Sequence, residues 1–191
     1  HVFCKYMIAN AYYYCTAAEF LNITPQRVGS KRYERLQYEW IAAAVKLYEE
    51  CATRGLGIAI PNLVDILRTG RHGAPIQQQK AKNYIHIGAQ MGIGAYERIV
   101  GNEYRDDNEL GRAVELYERA ILHKDDYAYY CLGRLYTYGG ALPLDLKKRF
   151  PTWKKVTKNS PTTRDSAICW VRSISAAERG SNRTTDRHFC C

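Results

Sequence analysis

Histidines and cysteines are the side chains in this sequence that could act as nucleophiles, bases or metal ligands. Five histidines stand at positions 1, 72, 86, 123 and 188, and seven cysteines at 4, 15, 51, 131, 169, 190 and 191. None falls in a C-x-x-C or H-E-x-x-H motif, and no histidine has a carboxylate partner at a suggestive spacing. The glycines form neither G-x-G-x-x-G nor a phosphate-binding loop. The sequence therefore predicts no catalytic residues, no metal, no cofactor and no enzymatic activity.

The odd number of cysteines argues against a complete disulfide framework. Most of them are predicted to be buried small apolar residues, which is typical of proteins in a reducing compartment. We therefore expect an intracellular location, with the mitochondrion as one alternative. No run approaches the roughly 18 apolar residues that a membrane-spanning helix needs, so no membrane span is expected.

Anion binding is the second kind of chemistry that the sequence offers. Residues 1–146 carry 17 basic and 16 acidic side chains, a balance of +1, whereas residues 147–191 carry 11 and 3, a balance of +8. The candidate contact residues are Lys147, Lys148, Arg149, Trp153, Lys154, Lys155 and Lys158. This basic cluster could contact phosphates or an acidic protein surface, or it could be a solvated connector.

An internal repeat organises the middle of the chain. Segments that begin at Ala44, Ala81 and Ala113 align with separations of 37 and 32 residues, and their small and apolar residues recur at offsets of 4, 7 and 8. These offsets place the residues on one face of a helix. A second apolar helix follows each segment. In the middle copy we align it through Ala95, with the polar Asn102 and Glu103 at positions that are apolar in the other copies, so this helix is expected to be weaker or differently packed.

The ends of these helices carry their own signals. Gly55 and Gly92 stand where a helix end needs a left-handed residue, and the third copy has Lys124 at this point. Asp125 and Asp126 precede the last of the second helices and are predicted to cap it. The predicted repeat core consists of Ala44, Tyr48, Ala81, Ile85, Ala113, Tyr117, Ala120, Ala128, Leu132, Leu135 and Tyr136.

The third copy, with the loop that follows it, resembles the Sel-one-like repeat, a relative of the tetratricopeptide repeat. That family's helix pair reads roughly A-x3-Y-x2-A-A-x2-G followed by A-x3-L-G-x-L-Y-x2-G, and then a loop with Pro and Asp. The matching residues are Ala113, Tyr117, Ala120, Ala128, Leu132, Gly133, Leu135, Tyr136, Gly139, Gly140, Pro143 and Asp145. The resemblance covers about residues 44–148 and implies an all-α solenoid of antiparallel helix pairs.

The same resemblance implies a function, because such solenoids present a curved surface to other proteins. We expect a non-catalytic interaction scaffold or adaptor, or an accessory subunit of a multi-subunit assembly. The alternative is an RNA-contacting component of a ribonucleoprotein, such as an organellar ribosome, which would use the basic segment after residue 146.

The chain divides into four predicted parts. Residues 1–43 form an N-terminal helical segment, in which residues 3–21 are expected to be a single helix and residue 31 to begin a long one. Three repeats follow, at 44–80, 81–112 and 113–148. A basic segment with a capping helix is predicted at 149–179, and a flexible tail at 180–191.

Overall fold

The computed structural model describes the backbone of residues 1–138 and the side chains of residues 1–135. This part of the chain is helical and contains no strand. The helices are α1 (Val2–Tyr13), α2 (Thr16–Phe20), α3 (Pro25–Val28), α4 (Ser30–Thr53), α5 (Ile60–Thr69), α6 (Gln78–Gln90), α7 (Gly94–Asp106), α8 (Leu110–Leu122) and α9 (Asp126–Tyr138). None of these helices is long and apolar enough to cross a membrane. The basic segment at 149–179 and the tail at 180–191 lie outside the described residues.

Helices α4 to α9 form three successive pairs, α4 with α5, α6 with α7, and α8 with α9. The second helix of each of the first two pairs also packs against the first helix of the next pair, and α1 packs against α4 in the same way. Each helix is therefore covered by its neighbours along the chain, which is the packing of a helical solenoid. The predicted all-α solenoid is confirmed.

The stripe of small and apolar residues lies between these helices. Ala44, Tyr48, Ala81, Ile85, Ala113, Tyr117, Ala120, Ala128, Leu132 and Leu135 are all buried, while the side chain of Tyr136 is outside the described part. Two of the tyrosines end in hydrogen bonds: the Tyr48 hydroxyl donates to Asn10 Oδ1 at 2.7 Å, and the Tyr117 hydroxyl donates to Asn102 Oδ1 at 2.7 Å. A buried phenol hydroxyl needs a hydrogen-bond partner, and Asn10 and Asn102 supply it for these two core tyrosines.

The N-terminal segment differs from the expected single helix over residues 3–21. The chain breaks between α1 and α2 at Cys15, which adopts a left-handed conformation with φ 58° and ψ 15°. No glycine or proline marks this break, and for this reason the periodicity did not reveal it. Tertiary contacts accompany it instead, because the Tyr13 ring enters the core just before it and Gln37 of α4 contacts the Cys15 sulfur.

The predicted left-handed positions at the ends of the first helices are confirmed. Gly55 has φ 85° and Gly92 has φ 81°, and Lys124 takes the same conformation with φ 65° in the third repeat. A side chain in this conformation costs roughly 1 kcal/mol or more. Asp125 then precedes α9 and its Oδ1 accepts the backbone N–H of Tyr127 at 3.1 Å, which is the expected helix cap.

The alignment of the middle second helix through Ala95 is wrong by one residue. In α7 Ala95 is exposed, whereas Tyr96, Val100 and Gly101 are buried. With Tyr96 aligned to Ala128, the spacing of 32 residues holds through both helices of the pair. Gly101 and Tyr104 then match the Gly and Tyr of the repeat motif. The middle copy therefore keeps the repeat spacing, with Tyr96 in place of the small residue that opens the second helix and Glu103 where the other repeats have the buried Ile66 and Leu135.

Candidate interaction surface

A groove of about 380 Å³ opens between α5 and α7 and extends to the start of α6. It is lined by Pro61, Val64, Asp65, Arg68, Thr69, Gln78 and Tyr96. Because α5 and α7 are the second helices of adjacent repeats, stacking of the repeats itself creates the groove. Its volume lies near the lower end of the range for binding pockets, about 300–1,000 Å³.

The sequence of α5 places its polar side chains in this groove. Leu63, Ile66 and Leu67 are buried against the neighbouring helices, and this fixes the rotation of α5 about its axis. Asp65 and Arg68 fall on the opposite side of the helix, where they remain accessible. The groove is thus a consequence of the helical period, although the sequence analysis did not single out these residues.

Tyr96 forms the α7 side of the groove. It stands where the other repeats have Ala59 and Ala128, and its ring occupies space beside Gly88 that no larger residue could share. A Cβ at Gly88 would lie 2.4 Å from Tyr96 Cδ2. Burial raises the pKa of Tyr96 to about 12, and the nearby Arg68 partly opposes this. The phenol is therefore neutral near pH 7.

The two charged side chains of the groove differ in whether they have a partner: Asp65 has partners, whereas Arg68 has no acidic one in the described part of the chain. Asp65 accepts a hydrogen bond from the Tyr13 hydroxyl at 2.7 Å, and Arg71 Nη1 lies 3.9 Å from the same carboxylate oxygen. Burial and this bond to Asp65 raise the pKa of Tyr13 to about 12. Arg68, by contrast, is exposed and has no acidic partner among the described residues. The groove therefore offers one available cation.

A second polar cluster lies at the junction of the second and third repeats. Glu97 is fully buried in α7, at the position that Ile60 occupies in the first repeat. Its Oε2 lies 2.6 Å from His123 Nδ1, and its Oε1 lies 2.8 Å from Arg119 Nη2. The contact with Arg119 is an ion pair rather than a hydrogen bond, because the guanidinium N–H is not aligned with Oε1. Oε1 accepts no hydrogen bond from any other described residue. This cluster joins α7 to α8.

The structure pairs histidines that the sequence left without partners. His123 contacts the buried Glu97, and His86 Nε2 lies 2.9 Å from Glu103 Oε2. These pairs join α7 to neighbouring helices. Among residues 1–138, no three histidine, cysteine or acidic side chains come together in a group that could hold a metal ion. The basic cluster Lys147, Lys148, Arg149, Trp153, Lys154, Lys155 and Lys158 lies outside the described residues.

Comparison with solved structures identifies the architecture. The crystal structure of a Sel1 repeat protein from Oxalobacter formigenes superposes with a TM-score of 0.55 at 19% sequence identity, over 97% of this chain and 83% of that one. The chain has the Sel-one-like repeat fold. The crystal structure of c5321, a protective antigen of uropathogenic Escherichia coli strains with the same fold, matches at 16% identity and a TM-score of 0.51.

The match to c5321 covers 82% of this chain but only 38% of that protein. No protein-family model matches the sequence, and neither does any curated protein. At these identities the likeness concerns the Sel-one-like fold alone. Any function has to be argued from the surface of this chain.

Proposed function

We propose that this Sel-one-like chain is a non-catalytic protein-interaction scaffold, an accessory subunit of a multi-protein complex, that binds a partner segment in the groove between α5 and α7. The observation that carries the proposal is the unpaired Arg68 beside a neutral, largely buried Tyr96. An arginine with a free guanidinium recognises a carboxylate through two parallel hydrogen bonds. Tyrosine and arginine are also among the residues most enriched in the hot spots of protein interfaces.

The groove is large enough for one anchoring side chain of a partner but too small to be the whole interface. A stable complex buries about 1,200–2,000 Å² of surface, whereas a few central residues supply most of the binding energy. We therefore expect an acidic side chain of the partner to enter the groove. Further contacts would spread over exposed neighbours such as Thr69 and Gln78.

Reversal of the charge at Arg68 tests this function. Arg68→Glu is expected to weaken binding of the partner at least about tenfold, because the acidic anchor would then face a like charge. Arg32→Glu is the matched control, since Arg32 is an exposed arginine of α4 without an acidic partner in the described region. Proteins captured from a native lysate by the three forms would be quantified, and the affinity of the selected partner measured by calorimetry. Equal affinities of the wild-type and Arg68→Glu chains would exclude the groove as the binding site.

The charge distribution favours a second candidate, contact with RNA through the basic segment after residue 146. Replacement of the lysines at 147, 148, 154, 155 and 158 by glutamine is expected to weaken RNA binding. It should also flatten the dependence of log affinity on log salt by about 0.7 for each lost phosphate contact to a single strand. Filter binding over a salt series measures this. Replacement of the five lysines at 31, 46, 80, 82 and 124 is the control, and an equal effect there would argue against a specific basic site.

A further inference from the structure

Cys15 and His72 lie 57 positions apart in the sequence and are brought together where the loop after α5 meets the junction of α1 and α2. The Cys15 sulfur lies 3.6 Å from His72 Nε2, and the side-chain amide of Gln37 donates to the same sulfur at 3.8 Å. Three separate segments of the chain thus converge on one thiol. None of these residues takes part in the groove described above.

Both members of the pair have an unusual backbone conformation. Cys15 has φ 58°, and His72 has φ 51° and ψ 36°. Left-handed conformations at residues other than glycine cost roughly 1–3 kcal/mol and persist only where the surroundings impose them. Packing of the Arg71 guanidinium 4.5 Å above the Tyr13 ring holds the two segments together next to the pair. Both left-handed residues lie at the contact between the two segments, and at Cys15 this conformation also ends α1 in the way that Lys124 ends α8.

The imidazole of His72 is in the neutral form that can accept a proton, and its lowered pKa makes it a weaker base than an unperturbed histidine. Burial lowers the pKa of His72, and the positive charge of the adjacent Arg71 lowers it further. The ring is therefore neutral near pH 7, and with its hydrogen on Nδ1 it presents an unprotonated Nε2 to the thiol. A thiol whose proton passes to a neighbouring base is an activated nucleophile.

We propose that Cys15 and His72 form a nucleophilic thiol–imidazole pair and that Cys15 is a site of mixed-disulfide formation with a small-molecule disulfide such as oxidised glutathione. His72 Nε2 takes the proton from the Cys15 thiol, and the thiolate attacks one sulfur of the disulfide. The S–S bond of the reagent breaks as the new one forms, and the released thiolate takes the proton from His72. The reaction is stoichiometric, so it modifies the scaffold without making it an enzyme.

The other described cysteines provide the contrast. Cys51 and Cys131 are buried, and burial raises the pKa of both thiols. Cys4 is exposed, and no hydrogen bond joins its thiol to an imidazole among the described residues. Exposure alone would therefore make Cys4 react first, whereas activation by His72 makes the half-buried Cys15 react first.

The rate of glutathionylation at each cysteine tests the proposal. The reduced full chain would be treated with oxidised glutathione at about pH 7, where an unperturbed thiol is only a few per cent ionised. Peptide mapping by mass spectrometry would follow all seven cysteines. Cys15 is expected to react several-fold faster than Cys4, and His72→Asn to slow Cys15 by up to about tenfold without changing Cys4.

A second variant separates loss of the base from loss of structure. His72→Gly also removes the imidazole but suits the left-handed backbone, so it should slow Cys15 as much as His72→Asn does. His86→Asn, which removes a histidine paired with Glu103, should leave Cys15 unchanged. Unfolding would instead expose Cys51 and Cys131 and speed their reactions. The proposal is overturned if Cys15 reacts no faster than Cys4, or if its rate in a folded His72→Gly chain equals that of the wild type.

Discussion

The double substitution Arg119→Ala, His123→Ala is expected to lower the free energy of unfolding by about 3 kcal/mol at neutral pH. Both side chains contact the carboxylate of Glu97, which is 0% exposed, so the variant leaves a buried charge without a partner. Arg119 and His123 are themselves about half exposed, which places the loss at the lower end of the range for broken buried ion pairs. Urea denaturation measures it.

A matched control is available within the same helix. Glu103 is also held by a lysine and a histidine, with Lys82 Nζ at 3.4 Å and His86 Nε2 at 2.9 Å, but its side chain is 32% exposed. Lys82→Ala, His86→Ala should therefore cost less than about 1 kcal/mol, since water solvates the carboxylate that remains. If the two double variants lose similar amounts of unfolding free energy, the burial of Glu97 is not the cause of the loss at its cluster.

Rescue provides the sharper test. Because Ile60 occupies the position of Glu97 in the first repeat, Glu97→Ile should restore stability when it is added to the Arg119→Ala, His123→Ala chain. Replacement of a buried ionic cluster by well-packed apolar residues is often neutral or stabilising. We expect the triple variant to lie within about 1 kcal/mol of the wild type. A triple variant as unstable as the double variant would contradict the assignment of the loss to the buried charge.

Much of the Sel-one-like fold can be predicted from the sequence because the repeat fixes small residues at regular positions. Ala44, Ala81 and Ala113 mark the same point of three first helices, and short side chains there allow close helix packing. Gly55 and Gly92 mark the ends of two of these helices. Local signals of this kind depend on neighbours within one or two turns, and the sequence contains all of them.

The error in α7 has a physical reason. In the second repeat, Tyr96 replaces a small residue and Glu97 replaces an apolar one, so the most apolar alignment falls one residue away at Ala95. The structure restores the register because Tyr96 packs where Gly88 leaves room, and Glu97 finds its partners on α8. Such compensation between helices leaves no periodic signal in either one.

The Glu97 cluster and the Cys15–His72 pair join residues that are far apart in the sequence. Such contacts leave no periodic signal, so neither site could be predicted from the sequence. His123 and Glu97 are 26 residues apart, and Cys15 and His72 are 57 apart. Their meeting depends on how successive repeats and the N-terminal helices pack. The groove needs the same information, since its walls come from two repeats. Asp65 and Arg68 have the pattern of ordinary exposed polar residues on an amphipathic helix, so the sequence alone does not single them out.

Gly101→Val is expected to lower the free energy of unfolding by about 3 kcal/mol, since overpacking of a tight core costs about 1–3 kcal/mol and valine adds three carbons. A Cβ at Gly101 would lie 2.8 Å from Tyr117 Cε1. That ring is fully buried and its hydroxyl is bonded to Asn102, so it cannot move aside. At the control position Gly111 in α8, a Cβ meets nothing within 4 Å. Gly111→Val should change stability by less than about 1 kcal/mol.

The first two repeats show how the clash at Gly101 could be relieved. Val64 and Ile85 occupy the positions of Gly101 and Tyr117 one repeat earlier, and both belong to one buried cluster. A large residue on one helix is thus balanced by a small one on the next, and two medium residues fill the same space. Tyr117→Ile alone should cost about 3 kcal/mol through the cavity it leaves. Combined with Gly101→Val it should cost at least about 2 kcal/mol less than the sum of the two, which a double-mutant cycle in urea measures. If the two losses of unfolding free energy are strictly additive, the side chains at 101 and 117 are not packed against each other. A larger residue at one position would then not compensate for a smaller one at the other.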